Sequence, residues 1–592
     1  MERPARANTA KLIAPTGISS ADASPPPPPD LSGPLNISSK ISLAYIQAAA
    51  SRLGDDTSSA PTYFDHLSQG RWSLAQLSSY IISGVQEGFR SHLATTPPSG
   101  LRLHPNYKSA LEDAPRISKA LRDRLANGKT IGPFEWLGHL PPGYSSLFVN
   151  PMGSVPYKYE PHRSRPIDDP YINDFIVAPY FPMPSFDLVR AFASPGCWFG
   201  LQDVASAFPC LPIHPDAWPT FAFLWHDLRS DSDPPSQDAG RGDCLYMHTH
   251  GLFGPRDMPY IWTMFMLFVT MHMVDRGVPL TPPYLDDFAT VMDRRSEVEF
   301  AQDRISSILS DLGTPEKASK RTSPFQKGEI LGRFFNSRTF TVSVPQEKMD
   351  RFVSALRRFF DPGPASGRVP MKALLSLCGQ AAFIGSVLHP SFNTLMAPIY
   401  ALMRGAPSRP HRFFHIKLTG DAKRAGRFLL LRIRLFNNKV SINSSITHPL
   451  ASAVYTDSSG LPMAGWGYAS RHHFRAGLFQ DDLRQEDIMI LELAAVLYAV
   501  VDHSRIWSGH RVPLYCDNQV VCGWLHKGRA RGEPDRRALA NSMLLEIFAL
   551  GLQYDFILEI HWIKSEDNIM ADALSRHDYP RFMSAYRTHR WL

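Results

Sequence analysis

Two groups of acidic residues carry the chemistry open to this chain. Asp286 and Asp287 stand side by side in PPYLDDFATVM, and Asp203 closes the apolar run in CWFGLQDVASAF. Carboxylates gathered at one place resist ionisation, because each charge raises its neighbour's pKa. A pair of divalent cations removes that conflict. Two metals about 3.5–4 Å apart can activate a 3′-hydroxyl and stabilise a leaving pyrophosphate, and hard carboxylate oxygens suit Mg²⁺. The second group is more widely spaced: Asp457 after SAVYT, Glu492 in IMILELAAVLYAVV, Asp517 after RVPLYC and Asp572 in DNIMADALSR. Three aspartates and a glutamate at strand ends and on helix faces can hold two Mg²⁺ and direct water at a phosphodiester. Any one of these acids alone is more often a surface charge or a solvated turn.

Only a fold can bring such distant residues together, so the elements around them matter. The residues flanking Asp286 and Asp287 read as a β-hairpin with the aspartates at its turn, and Asp203 ends a strand-like run. Helical spacing of Leu74, Leu77, Tyr80, Ile81 and Val85 marks a packing helix within Trp72–Leu93. The apolar stretch Ile261–Val274 is too short to span a bilayer and reads as a buried helix. From Gln346 the pattern turns helical in KMDRFVSALRRFF and MKALLSLCGQAAFIGSVL. Gly405–Pro410 reads as a hinge, and a further helix falls near Asp421–Phe436. An α/β pattern then runs from Ala451 to Arg576, its last helix capped by Asp567 or Ser565. The basic and aromatic HDYPRFMSAYRTHRWL closes the chain.

YLDDF, with an aspartate-bearing strand upstream, resembles the polymerase core of reverse transcriptases, and further motifs follow in the same order. SRPIDDPYIND resembles the fingers motif through Arg165, Asp169 and a following asparagine. The resemblance implies that Arg165, with Lys158 ahead of it, holds the triphosphate of the incoming nucleotide. In GLFGPRDMP, Gly254 and Pro259 match the motif that positions template and nucleotide, where a glycine lets backbone approach the substrate. Arg256 and Asp257 depart from the small residues usual there. In TPEKASK, Lys317 resembles the lysine that donates a proton to pyrophosphate, and Lys320 is its rival. Phe208 stands where the family's aromatic excludes a ribose 2′-hydroxyl, which implies deoxynucleotide substrates. Ile330–Phe334 resembles the primer grip. Downstream, TDSSG, LEL, YCDN and ADALSR resemble the ribonuclease H family in order, without the histidine that some members carry before the last aspartate. The finer resemblance is to the tyrosine-recombinase retrotransposons of the DIRS/Ngaro type, over Leu101–Arg576.

The implied fold is α+β and α/β multidomain: a right-hand polymerase of fingers, palm and thumb, followed by an RNase H-like domain. The expected division is an N-terminal arm over 1–100, partly disordered with some helix, then fingers and palm over 101–344. The thumb follows over 345–410, a connection over 411–450, the RNase H-like domain over 451–577 and a tail over 578–592. The implied activity copies RNA, then DNA, into DNA and degrades the RNA of the hybrid. It uses two Mg²⁺ at each site, with Mn²⁺ as the substitute. Catalytic and metal-holding residues are then Asp203, Asp286, Asp287, Asp457, Glu492, Asp517 and Asp572; substrate-binding residues are Lys158, Arg165, Phe208, Gly254 and Lys317. The rival reading is a domesticated, non-catalytic nucleic-acid scaffold that keeps the fold.

Composition agrees with nucleic acid as the partner. The 592 residues carry 62 Lys+Arg against 55 Asp+Glu, a net charge of +7 that favours a polyanion. With 44% hydrophobic and 11% aromatic residues the chain is not disordered throughout. A mean hydropathy of −0.19 argues against a polytopic membrane protein. Six cysteines in so long a chain make no disulfide scaffold. The expected partners are an RNA template, a DNA primer, the RNA–DNA hybrid and dNTPs, with no membrane. The expected place is inside the cell, in cytoplasm or nucleus.

Overall fold

The structure is a computed structural model that describes residues 26–28, 39–54, 72–156, 164–179, 181, 186–229, 244–278, 283–389, 391–404, 414–435, 439–442 and 450–589. Lys158 and the expected hinge at Gly405–Pro410 lie outside them. The chain is mixed α+β and forms two compact units. One comprises the residues up to Ala193 with Cys197–Phe325; the other comprises Ser194–Gly196 with the residues from Gln326 onward.

The first unit is built around a helix that is apolar on every side. Met258–Asp275 has every residue from Tyr260 to Met273 buried, as its unbroken apolar run requires. Leu43–Leu53 and Leu74–Glu87 pack on it. Each opens on a serine whose side chain accepts a backbone N–H of the first turn, Ser42 and Ser73 respectively. Among the described residues, no helix is long and apolar enough to cross a membrane. A five-stranded sheet runs in the order Gly100–Leu103, Ser146–Val149, Ala222–Trp225, Cys244–His248, Thr130–Glu135. Two further ladders stand apart from it. Met152–Pro156 pairs antiparallel with Ser164–Asp168, and Trp198–Asp203 pairs antiparallel with Asp287–Met292.

Period-two alternation decides what the Trp198–Asp203 strand presents. Gly200 and Gln202 face helix Arg295–Leu312: a Cβ on Gly200 would strike Val298, and the Gln202 amide donates to the Gln302 carbonyl at 3.0 Å. Leu201 and Asp203 therefore face the other way.

The second unit opens with an antiparallel sheet of Lys327–Ile330, Arg333–Asn336, Thr341–Ser343 and Lys439–Ser441. Helices Gln346–Phe360, Met371–Gly385, Ser391–Tyr400 and Gly420–Arg432 follow its first three strands in sequence. A five-stranded sheet then runs in the order Phe474–Leu478, Gly465–Ser470, Val454–Ser458, Arg511–Cys516, Ile557–Trp562. Its first three strands are antiparallel and its last three parallel. Helix Ile488–His503 lies on it, and helix Ile569–Ser575 crosses Gly467 so closely that a Cβ there would strike Leu574. Helix Ile569–Ser575 starts after Asn568, not after Asp567 or Ser565, and Asn568 caps nothing with its side chain, whose amide donates to the Thr456 carbonyl at 2.9 Å. The closing segment is also ordered, as helix Tyr579–Thr588 with Phe582 fully buried.

One buried amide ties the first unit's strands to the turn beside the site. The Asn150 amide donates to the carbonyls of Phe148, Thr220 and Ala222 at 2.9–3.1 Å, and its oxygen accepts the Tyr171 N–H at 2.9 Å. Asn150→Ala strands several buried backbone groups and should cost about 2–4 kcal/mol. Urea unfolding followed by tryptophan fluorescence should show an earlier first transition; an unmoved midpoint would refute the role of this amide.

Candidate active sites

The first site forms where two strands meet at their ends. The antiparallel register sets Asp203 directly opposite Asp287. Asp286 precedes Asp287 in a tight turn closed by two hydrogen bonds between Tyr284 and Asp287, with Leu285 in the left-handed region at φ 56°. The Val204 N–H donates to the Asp286 carbonyl at 3.0 Å, which holds the turn against the neighbouring strand. Burial raises the pKa of both aspartates, and the neighbouring acids raise it further, pushing Asp287 up to about 6. Lys320 opposes this, with its Nζ 3.6 Å from Asp203 Oδ2. Arg165, an exposed residue of strand Ser164–Asp168, also draws Asp286 back toward its charged form. Lys317 contributes its backbone N–H to the Asp203 carbonyl at 2.7 Å; of the two lysines, the one ion-paired with Asp203 is Lys320.

Gly254 lies at φ 146°, and a Cβ there would collide with the Asp168 carbonyl, so the 251–259 loop packs against the end of the Arg165 strand. Asn173 fixes that approach: its amide donates to the Gly254 carbonyl at 3.0 Å and its oxygen accepts the Arg256 N–H at 2.9 Å. The departure at Asp257 has a structural reason. Its carboxylate is fully buried and accepts the His92 N–H at 2.8 Å. Phe208 is 8% exposed, with its ring against Phe253 at 5.1 Å and Trp262 at 6.3 Å. Sequence reasoning did not find the buried group beneath the Arg165 strand. Asp168 meets His248 Nε2 at 3.2 Å and Arg124 Nη1 at 3.6 Å, and these two groups hold it below the usual carboxylate range against its burial. Asp168 beside Asp169 was its one visible trace.

The second site has the same origin in the other unit. Asp457 stands near the end of the central strand and Asp517 follows the next, parallel one. Glu492 lies in helix Ile488–His503 and Asp572 in helix Ile569–Ser575. Asp457 and Glu492 are each 4% exposed. Burial, then the charges of Asp517 and Asp572, push Asp457 up to about 7, although the Ser575 hydroxyl donates to it at 2.6 Å. Burial and the charges of Asp457 and Asp517 raise Glu492 well above the ordinary range. Ser565, expected as a cap, donates instead to Asp517 Oδ2 at 2.6 Å. Arg576 and Arg581 each hold one Asp572 oxygen, at 2.7 and 2.6 Å. Ser575 and Arg576 follow Asp572 by three and four helical positions, the spacing that puts them on one face. Glu492, Cys516 and Asp517 offer donor atoms within 4.8 Å of one another.

Four of these acids, Asp286, Asp287, Asp457 and Glu492, are raised above their ordinary pKa, by burial first and by neighbouring carboxylates second. No family model matches the chain, and no curated protein matches it. Among solved structures it is similar to the foamy viral protease–reverse transcriptase in complex with double-stranded DNA, at 15% identity and TM-score 0.42, covering 90% of this chain and 99% of that one. It is likewise similar to that protein in complex with an RNA/DNA hybrid, at 14% identity and TM-score 0.42, covering 90% of this chain and 64% of that one.

A raised carboxyl pKa favours the folded state while the group is protonated. For Asp457, with an ordinary value of 3.8 and a folded value of about 7, that stability is fully present below about pH 4. It is lost as pH rises through 7. Melting of the chelator-treated protein should therefore shift downward from pH 4.5 to 8, and Mg²⁺ should reverse much of the shift. Identical pH profiles with chelator and with Mg²⁺ would refute a cation site here.

Proposed function

We propose that the chain is an RNA-directed and DNA-directed DNA polymerase joined to a ribonuclease that cuts the RNA of an RNA–DNA hybrid. The observation that carries this is the pair of carboxylate sets, one in each unit, each assembled at the ends of neighbouring strands. In this reading the first unit supplies fingers and palm, the strands and helices from Gln326 to Ser441 supply primer grip, thumb and connection, and the 454–589 layer is RNase H-like. The ordered motifs favour a retroelement enzyme of the DIRS/Ngaro type, acting on its own RNA in cytoplasm or nucleus.

Asp203, Asp286 and Asp287 would hold one pair of Mg²⁺ ions, and Asp457, Glu492, Asp517 and Asp572 the other, with Mn²⁺ as the substitute. Bound there, the ions supply Lewis acidity toward the attacking and leaving oxygens. The chain's own groups do the rest. Arg165 and Lys158 bind the anionic triphosphate of a dNTP, a task for fixed positive charge. Gly254 keeps the loop low so that substrate can approach backbone. Lys320, already paired with Asp203, shares with Lys317 the candidacy for delivering a proton to pyrophosphate. Ser575 and Ser565 orient Asp457 and Asp517 through their hydroxyls. Template, primer and hybrid are held through their phosphates by Lys and Arg, which reads charge and shape rather than sequence.

Primer extension on an RNA template, run beside cleavage of a labelled hybrid, tests this directly. Asp286→Asn should abolish extension and spare cleavage; Asp517→Asn should do the reverse, with hybrid affinity kept. Loss of both activities in either folded variant would defeat the two-site reading. A wild-type protein that binds hybrid but neither extends nor cuts it would establish the scaffold alternative.

Sugar selection is a separate expectation. Phe208 packs against Phe253 and Trp262, and in this reading its ring excludes a ribose 2′-hydroxyl. Phe208→Val should raise the ratio of ribonucleotide to deoxynucleotide kcat/KM by about tenfold or more. An unchanged ratio would make Phe208 a packing residue only.

A further inference from the structure

The geometry points to Phe383 as a positioning residue for the turn at Leu331 and Gly332, through two cations that share its ring. The inference rests on the proposed function, in which Ile330–Phe334 holds the primer strand.

Ile330 and Arg333 pair across a two-residue hairpin, and both turn residues have positive φ, 47° at Leu331 and 76° at Gly332. A leucine in that region is strained and persists only where its surroundings hold it. The holding groups are specific. Arg333 Nη1 donates to the Leu331 carbonyl at 3.0 Å, and Lys348 Nζ donates to the Gly332 carbonyl at 2.6 Å. Each carbonyl of the turn is thus held by one cation. Both cations lie over Phe383, the Arg333 guanidinium 4.5 Å and the Lys348 ammonium 4.4 Å from the ring centre.

Two like charges at one ring would separate without compensation. The ring's negative face attracts both, and Glu329 lies 3.6 Å from Lys348. Arg333 is anchored again by donating to Ser386 Oγ at 2.7 Å, and Ser386 in turn donates to the Phe383 carbonyl at 2.6 Å. Phe383 is not a core residue. The buried stripe of helix Met371–Gly385 runs through Leu374, Leu377, Cys378, Ala381 and Ile384, and Phe383 lies off it, half-buried. Its ring is placed for the cations, and through them it fixes the turn to the helix.

Phe383→Leu keeps apolar bulk and removes the π face; Phe383→Tyr keeps the face. The leucine variant should raise the primer–template KM by about tenfold while changing kcat less than about twofold. Hybrid cleavage on the same preparation should be unchanged, and the tyrosine variant should match wild type. Amide exchange at Leu331, Gly332 and Arg333 should quicken in the leucine variant, with the flanking strands unaffected. Wild-type KM and exchange in the leucine variant would overturn the inference, as would equal impairment in both variants. A wild-type protein that extends no primer would defeat the polymerase reading instead, and the exchange measurement would still decide whether the ring holds the turn.

Discussion

Everything in this molecule's chemistry turns on the repulsion between carboxylates that the backbone forces together. Asp203 faces Asp287 because the strand register leaves no alternative, and Asp457 meets Asp517 because two parallel strands end side by side. Ladder hydrogen bonds and buried apolar faces enforce a proximity that the acids themselves oppose. Burial, and after it that opposition, pushes Asp287 and Asp457 well above the ordinary aspartate value. A surface selected for stability alone would place such groups apart or pair each with a base. Both units instead hold acids close to one another at the cost of that repulsion.

The surrounding residues act on this conflict without removing it. Gln202, directed away from Asp203 by strand alternation, locks the strand onto helix Arg295–Leu312 and Glu316. Gly467 lets helix Ile569–Ser575 lie close enough for Ser575 to reach Asp457. Lys320 and Arg165 soften the first site, and Arg576 and Arg581 take up the charge of Asp572 at the second. At the first site the cations lie beside the acids without covering them, whereas both oxygens of Asp572 are taken by Arg576 and Arg581.

Much of this was legible in the sequence, because motif residues and strand periodicity are local signals. An apolar run without a polar face can only be a buried helix, and Met258–Asp275 is one. Acids at the ends of strand-like runs announced where the charge would gather. What was not legible is long-range. Nothing local distinguishes Lys317 from Lys320 as the cation beside Asp203, since both are exposed lysines in one short segment. Ser565 reads as a helix cap because serines before helices usually are, yet the strand beside it offers Asp517. Asp257 reads as a departure from a motif, and only the fold supplies the His92 backbone N–H that it accepts. Arg581 reads as part of a tail, and only packing of Phe582 brings it to Asp572.

The two sites differ in a way that follows from their burial. Asp203 and Asp287 lie at the open end of a two-stranded ladder, with Asp287 exposed at the start of its strand. Water reaches part of these carboxylates, yet burial is still the first cause that raises Asp287. Asp457 and Glu492 are almost fully enclosed, between a five-stranded sheet and the helix that packs on it. There a missing counter-charge must be met by protonation or by movement of the helix, because no solvent is at hand. The first group of acids thus sits at a ladder end that solvent partly reaches. The second is enclosed, its carboxylates tied to the same packing that keeps its layer folded.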